Sequence, residues 1–345
     1  MTRVHVLLVA ALAVMPPGPA VRAQDLAADA VDAAARDLPK LRSLLVSRRG
    51  DLLFERYYHG ARASQPANVK SASKSVISAL VGIAVERRLI PSVREPVATY
   101  FPQVARDRDP TKRSITVEHL LTMRAGLAST SGRGYGAWVT SRNWVDYVLA
   151  RPMQAAPGAE MDYSTGNTHL LSAILTKATG MSTRAFANEA LARPLGFTLP
   201  PWPTDPQGVY FGGNDMLMTP KQLLAFGELY LNRGRANGRQ VVPESWVVRS
   251  CEGRPRELPA FARGPGGLRD PLRDREYGYL WWVDELGGRE TCFAWGYGGQ
   301  YVFVVPSLDV VIATTSSPNV SEERRDHRRQ LVELLTRHVI APLAR

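Results

Sequence analysis

Cysteine is almost missing from this chain: only Cys251 and Cys292 occur in 345 residues. Two thiols without a nearby histidine pair exclude a zinc-finger type of site. In an oxidising compartment the two can pair, but that depends on a separation the sequence does not reveal, and two buried thiols are the alternative. Long hydrophobic runs are scarce as well. Beyond the N-terminus no segment reaches transmembrane length, so stable membrane insertion is not expected. A clustered basic stripe is absent even though 43 Lys and Arg against 32 Asp and Glu give a formal charge of +11. The densest pairs, Arg324-Arg325 and Arg328-Arg329, lie beside Glu322, Glu323 and Asp326. They read as the solvated face of a helix, and no nucleic-acid partner is expected. The G-x-S-x-G elbow, the H-E-x-x-H pair and the glycine patterns of dinucleotide and phosphate loops are missing too. These absences argue against an α/β-hydrolase, a zinc peptidase and a nucleotide-dependent enzyme. No metal and no organic cofactor is expected. There is no internal repeat and no low-complexity segment.

What is present begins with an export pattern. Thr2-Arg3 supplies a positive start, Val4 to Met15 is apolar, and Val21-Arg22-Ala23 offers small residues for cleavage. Pro16-Pro17 breaks the run before it could span a bilayer. Residues 1–23 are therefore expected to be a signal peptide and the mature protein to be periplasmic or extracellular. No cysteine follows the apolar run, so a lipid tether is not expected. With 45% apolar residues the remainder, residues 24–345, has ample material for one large domain or two closely packed lobes.

The pattern of elements is α+β. Asp25 to Leu38 is alanine-rich, with Leu26, Ala30 and Ala33 at helical spacing. A hairpin follows: Leu44 to Ser47, a turn at Arg49-Gly50-Asp51, then Leu52 to Tyr57. From there to about residue 245 the signals are helical, including 119–121, 167–179 ending at Gly180, and 221–232. Thr219-Pro220 reads as an N-cap followed by proline in the first turn. Residues 251–276 read as a loop. Strands return at 278–283, 290–296, 301–305 and 310–314, with a turn at 306–309. A last helix begins at Ser321 and carries Leu331, Leu334, Leu335 and Val339. One antiparallel sheet made from both chain ends, about 24–70 and 277–345, and flanked by the terminal helices, would bury these strands. A helical lobe would hold about 71–276.

Chemistry concentrates at Ser71-Ala72-Ser73-Lys74. A serine and a lysine three apart at the start of a helix share one face. Serine needs an adjacent base, and a lysine becomes one when burial or neighbouring cations depress its pKa. The helix N-terminus also favours developing negative charge. Against this stands the plain reading of two common residues with Lys74 on a solvated face. Three further patterns follow in order: Thr116 to Leu127, then Tyr163-Ser164-Thr165-Gly166-Asn167, then Gly296-Tyr297-Gly298-Gly299-Gln300 before a strand.

Together these resemble the serine β-lactamase and penicillin-binding-protein superfamily, in particular its class C β-lactamase-related branch of esterases, 6-aminohexanoate-oligomer hydrolases and DD-peptidases. The resemblance runs from about residue 40 to the C-terminus. It implies a β-lactamase/transpeptidase-like fold, Ser71 as the acylated nucleophile, Lys74 as its amine partner and Tyr163 as the phenol that shares the proton transfers. Which of Lys74 and Tyr163 takes the first proton stays open. On this alignment the Ser71 and Gln300 amides form the oxyanion hole, and Thr165, Tyr297, Gly298 and Gly299 line the substrate. Two departures stand out. Tyr297-Gly298-Gly299 replaces Lys-Thr-Gly and loses its cation and hydroxyl. Thr165 replaces an asparagine and loses its amide fork, while Asn167, two positions out of register, reads as a helix-start residue. Both point away from an efficient β-lactamase.

The implied function is an exported serine hydrolase acting on a small ester or amide. A peptide or cell-wall fragment is the other candidate substrate. A DD-peptidase or weak β-lactamase is the alternative enzyme, and a non-catalytic binding or scaffold protein the alternative of another class. His119 and His169 read as satisfied core histidines. Gly212-Gly213-Asn214-Asp215 is either a pocket floor or the turn before Thr219. Trp138, Trp281 and Trp282 are either pocket walls or core.

Overall fold

Strands from the two ends of the chain meet in one sheet. A computed structural model describes residues 26–254, 275–319 and 324–345; the expected signal peptide, most of the 251–276 loop and Ser321 lie outside the described residues. Helix α1 (Ala28–Arg36) precedes strands β1 (Leu41–Arg48) and β2 (Asp51–Tyr57). Helices α2 (Ser73–Glu86), α3 (Thr165–Thr179), α4 (Pro220–Leu231) and α5 (Glu244–Cys251) are the principal helices of the middle. The chain then returns through β3 (Glu276–Tyr277), β4 (Trp282–Leu286), β5 (Arg289–Gly296), β6 (Gln300–Val305) and β7 (Val310–Ser316). Helix α6 (Arg324–Leu334) continues into a wider-turned segment, Leu335–Ile340. The sheet order is β2-β1-β7-β6-β5-β4-β3, antiparallel throughout.

Side-chain alternation sorts the two faces of this sheet. Val302 and Val311 face α4, whose Gly227 lies so close that an added Cβ would come within 2.5 Å of Val311 and 2.6 Å of Val302. On the other face Tyr301 stacks on Trp295, and the Arg328 guanidinium of α6 lies 4.5 Å from the Trp295 ring centre. A sheet covered on both sides is apolar along most of its length, which explains the unbroken Val-Val-Ile-Ala run of β7.

Helix α2 runs between sheet and helical lobe and is buried on every side from Ser73 to Ala84. Its small and hydroxylated residues permit this. Ser75 Oγ donates to Leu280 O at 2.8 Å, and Ser78 Oγ accepts from Trp246 Nε1 at 3.3 Å. Gly82 lies against the Trp246 ring, where a Cβ would meet carbon atoms at 2.5 Å. The Thr219 cap forms as expected, its hydroxyl accepting from Gln222 N while the Gln222 side chain accepts from Thr219 N. Cys251 and Cys292 are joined in a disulfide that ties the end of α5 to β5.

Two expected elements are displaced. The strand predicted over 278–283 starts only at Trp282, because Leu280 takes a φ of +61° and bends the chain. In α1 the residues turned inward are Val31 and Ala35, while Ala30 and Ala33 are exposed. Alanine at 28, 30, 33, 34 and 35 spreads over all faces of that helix, so the buried one was left undetermined.

Candidate active site

The chain changes direction just before Ser71. Ala67–Asn68 pairs with Leu217–Met218 as a short ribbon, and Val69 N donates to Met216 O at 3.0 Å. Lys70 then adopts a φ of +50°, in the left-handed region that costs a side-chain-bearing residue about 1–2 kcal/mol. A tight turn over Lys70–Ala72 leads directly into α2. Asn68 holds this turn, its Oδ1 accepting from Lys70 N at 2.9 Å. Strand β5 closes on the turn from the other side at Gly296, where any Cβ would collide with Val69 O.

Lys74 sits one turn into the helix and is 1% exposed. Its Nζ donates to Ser71 Oγ at 3.0 Å and to Gly213 O at 2.5 Å. Among the described residues no carboxylate bonds to it. Burial pushes its pKa down to about 7, against a smaller upward pull from the Asp215 charge. An amine in that range exists near neutrality in both forms. When neutral, it can keep an N–H on Gly213 O and turn its lone pair to the serine hydroxyl.

Tyr163 completes the group. Lys74 Nζ lies 5.1 Å from the centre of its ring. Burial pushes the phenol up to about 12, opposed by a hydrogen bond with Ser71. At neutral pH it is therefore a protonated phenol, a donor. A row of hydroxyls fixes its loop. Ser129 Oγ donates to Tyr163 O at 2.8 Å, Thr130 Oγ1 pairs with Ser164 Oγ at 3.1 Å, and Ser131 Oγ pairs with Thr165 Oγ1 at 2.9 Å. Trp282 stacks on the Tyr163 ring at 5.8 Å, with Tyr277 edge-on at 6.3 Å.

A serine hydroxyl and a buried amine from one segment thus meet a phenol from a second, with no carboxylate bonded to the amine among the described residues. The family model described as Beta-lactamase matches residues 31–337. The chain belongs to the beta-lactamase family. Its members include hydrolases of the serine type, and this enzyme is one. The 6-aminohexanoate-dimer hydrolase of Paenarthrobacter ureafaciens is 27% identical, the match covering 83% of this chain and 77% of that protein. Among solved structures, a family VIII carboxylesterase superimposes with a TM-score of 0.67 at 16% identity, covering 90% of this chain and 96% of the other. EstCE1, a hydrolase with promiscuous acyltransferase activity, gives 0.69 at 17% identity, covering 92% and 100%. These two likenesses show the fold.

The remaining candidates distribute unevenly over this beta-lactamase scaffold. Thr165 is near the site, but it is 5% exposed and its hydroxyl is engaged with Ser131. It builds the Tyr163 loop and does not face solvent. Gln300 is fully buried, its side-chain amide bonded both ways to the Ser316 main chain at 2.7 and 3.1 Å. These bonds engage the Gln300 side chain, whereas the oxyanion role expected of it belongs to its main-chain N–H. A Cβ on Gly298 would meet Ser317 O and Pro318 Cα; on Gly299 it would meet Ser316 Oγ and His327 Nε2. Both glycines open toward the end of β7 and α6. Tyr297 and Gly298 are the corner residues that keep exposed surface.

Other residues take core roles. His169 is fully buried against Asp205 at 3.0 Å. The His119 ring accepts from Thr116 N and caps a short helix. Trp138 and Trp281 are core, whereas Trp282 walls the site beside Tyr163. Asn167 stands in the first turn of α3, as expected for a helix-start residue. Sequence reasoning passed over Asn68, Lys70 and the Ser129–Ser131 hydroxyls. A Ser-Thr-Ser run beside Tyr-Ser-Thr was the one available signal, and it needed the knowledge that these stretches are adjacent. Gly212-Gly213 packs closely against α3 and Lys74. A Cβ on Gly213 would collide with Thr168 Oγ1 and lie 3.1 Å from Lys74 Nζ.

Proposed function

We propose that this serine hydrolase is exported and cleaves a small ester or amide through an acyl-enzyme on Ser71. The observation that carries the reading is the 3.0 Å contact between Ser71 Oγ and the Nζ of a buried lysine with no bonded carboxylate. The neutral Lys74 amine takes the hydroxyl proton as Oγ bonds to the carbonyl carbon, and the carbonyl electron pair moves to oxygen. The Ser71 amide and an amide of the exposed corner, Tyr297–Gly298, receive that oxyanion, one such donor contributing about 3 kcal/mol. Collapse expels the alcohol or amine, which is protonated by Tyr163, and the phenol regains its proton from the Lys74 ammonium. Water then attacks the acyl group, its proton passing to Lys74, and Ser71 departs reprotonated.

The two phenol and amine pKa directions favour Lys74 as first base and Tyr163 as acid. Loss of the Lys-Thr pair and the inward commitment of Thr165 favour linear esters and amides over lactams. The relatives named as a 6-aminohexanoate-dimer hydrolase and a family VIII carboxylesterase agree with that class. The disulfide supports export, because such bonds persist in oxidising compartments. A panel of aryl esters, linear amides and D-Ala-D-Ala peptides against wild type and Ser71→Ala tests the reading. Short-chain esters or amides should lead, with activity gone in Ser71→Ala. Lactams or D-Ala-D-Ala peptides far ahead would shift it to a β-lactamase or DD-peptidase. No adduct from an activated ester by intact mass would leave a scaffold protein.

A further inference from the structure

Asp215 lies within the charge field of Lys74 but does not bond to it. Its Oδ1 is shared instead by Asn68 Nδ2 at 2.7 Å and Lys70 Nζ at 3.0 Å. Asn68 in turn accepts from Lys70 N, so a closed ring of three bonds surrounds Lys70. Asp215 and Lys70 both adopt left-handed backbone, with φ of +60° and +50°, and no glycine relieves either. Their places in the chain give the ring its significance. Lys70 immediately precedes Ser71. Asp215 follows by two the glycine whose carbonyl holds Lys74 Nζ. One carboxylate therefore ties together the two segments that present the nucleophile and its base. Both Lys70 and Asp215 side chains keep 25% exposure, so the pair lies at the edge of the site rather than in the core.

We propose that Asp215 is a positioning residue for the Ser71–Lys74 pair, clamping the strained turn that presents Ser71 and balancing the charge around Lys74. The inference rests on the Ser71–Lys74 assignment made above. The groups facing Lys74 can be named from each side. Ser71 and Lys70 come from its own entry turn, and Tyr163 from the loop before α3. Gly213 and Asp215 come from the 212–215 segment, to which Tyr135 is joined by Asn214 Nδ2 at 2.9 Å. Helix α3 contributes Thr165 and Thr168, both uncharged, which meet Lys74 Nζ around Gly213. Asp215 is thus the anion that acts on Lys74, and Lys70 bears on Lys74 through its ion pair with that anion. Removing the anion leaves the ammonium less favoured, so Lys74 loses its proton at lower pH. Removing Lys70 frees the anion to act on Lys74, which then holds its proton to higher pH.

The test is the pH dependence of Ser71 acylation by a p-nitrophenyl ester, followed by the burst of nitrophenolate and by intact mass. Asp215→Asn keeps an acceptor oxygen for Asn68 and Lys70 and removes only charge. Its acid limb should move down by roughly half to one pH unit. Lys70→Met should move the limb up by a similar amount, and Asp215→Glu should restore the wild-type limb. Limbs that stay in place while rates fall at all pH values, or that move the same way in both variants, would overturn the proposal. If Asp215→Asn does not fold, the direction of the Lys70→Met limb decides alone. An adduct that persists in Ser71→Ala would remove the underlying assignment, and this inference with it.

Discussion

Among the described residues two lysines are buried, and they are treated in opposite ways. Lys112 is 5% exposed, and its Nζ donates to Asp107 Oδ2 at 2.9 Å and Leu149 O at 2.8 Å. Lys74 is 1% exposed, and among the described residues its Nζ bonds to a hydroxyl and a carbonyl and lies over an aromatic face, with no carboxylate. A carboxylate compensates the first, which ties Asp107 to Leu149 as a structural contact. Withholding one from the second leaves desolvation unopposed at contact distance, so the amine is readily deprotonated. The carboxylate whose charge acts on Lys74, Asp215, is occupied by Lys70 and Asn68. Burial alone therefore does not make a base; burial without a bonded counter-ion does.

The sharpest break of this comparison is to delete each ammonium in turn. Lys74→Met should lower single-turnover acylation by about 10³-fold or more, since the serine loses its base. A fall of less than tenfold would show that Lys74 is not the proton acceptor. Tyr163→Phe leaves the amine in place and should lower turnover by about 10²-fold. Because Tyr163 is assigned to the leaving group, the loss should shrink for esters with good leaving groups; an equal loss on all esters would contradict that role. The wild-type profile sharpens the contrast further. kcat/KM should fall about tenfold per pH unit below about pH 7, as Lys74 gains its proton.

The smallest effects concern stability. Lys112→Met should cost about 1–3 kcal/mol in urea unfolding, by stranding Leu149 O, while turnover of the folded fraction stays unchanged. Lys74 should behave the other way. Its folded-state pKa lies below its unfolded value of 10.5, so the unfolded chain binds more protons between about pH 7 and 10.5. Stability should rise with pH across that window. Lys74→Met should flatten the rise, as read from urea midpoints over the same range; a slope unchanged by the substitution would place the proton uptake elsewhere.

Much of the fold is legible in the residue pattern. β-Branched runs at 301–305 and 310–314 are strands, the Thr219-Pro220 cap starts α4, and the hairpin turns at Arg49-Gly50. These signals are local, and local sterics and hydrogen bonding enforce them. Where several conformations satisfy the same residues, legibility ends. Gly278 to Trp281 reads as strand, yet Leu280 bends away to give its carbonyl to Ser75 and its N–H to Leu121 O. The corner Gly296 to Gln300 shows the same limit at the site. Its glycines mark a close approach, but their chemistry is main-chain, and no side chain announces which amide is open. Gln300 fits the motif alignment and turns inward to Ser316.

The residue types alone determined the reactive groups: a serine and a lysine one helical turn apart, with a tyrosine in a recognisable order behind them. Tertiary structure decided what those groups are able to do. The carbonyl that holds Lys74 lies 139 residues away, on a glycine that must lack a side chain to approach. The anion that biases Lys74 is bound elsewhere by residues of another segment. A pKa depends on solvent exclusion and on charges in space, and both are set by segments far apart in the chain. Spacing places the amine beside the hydroxyl; packing makes it a base.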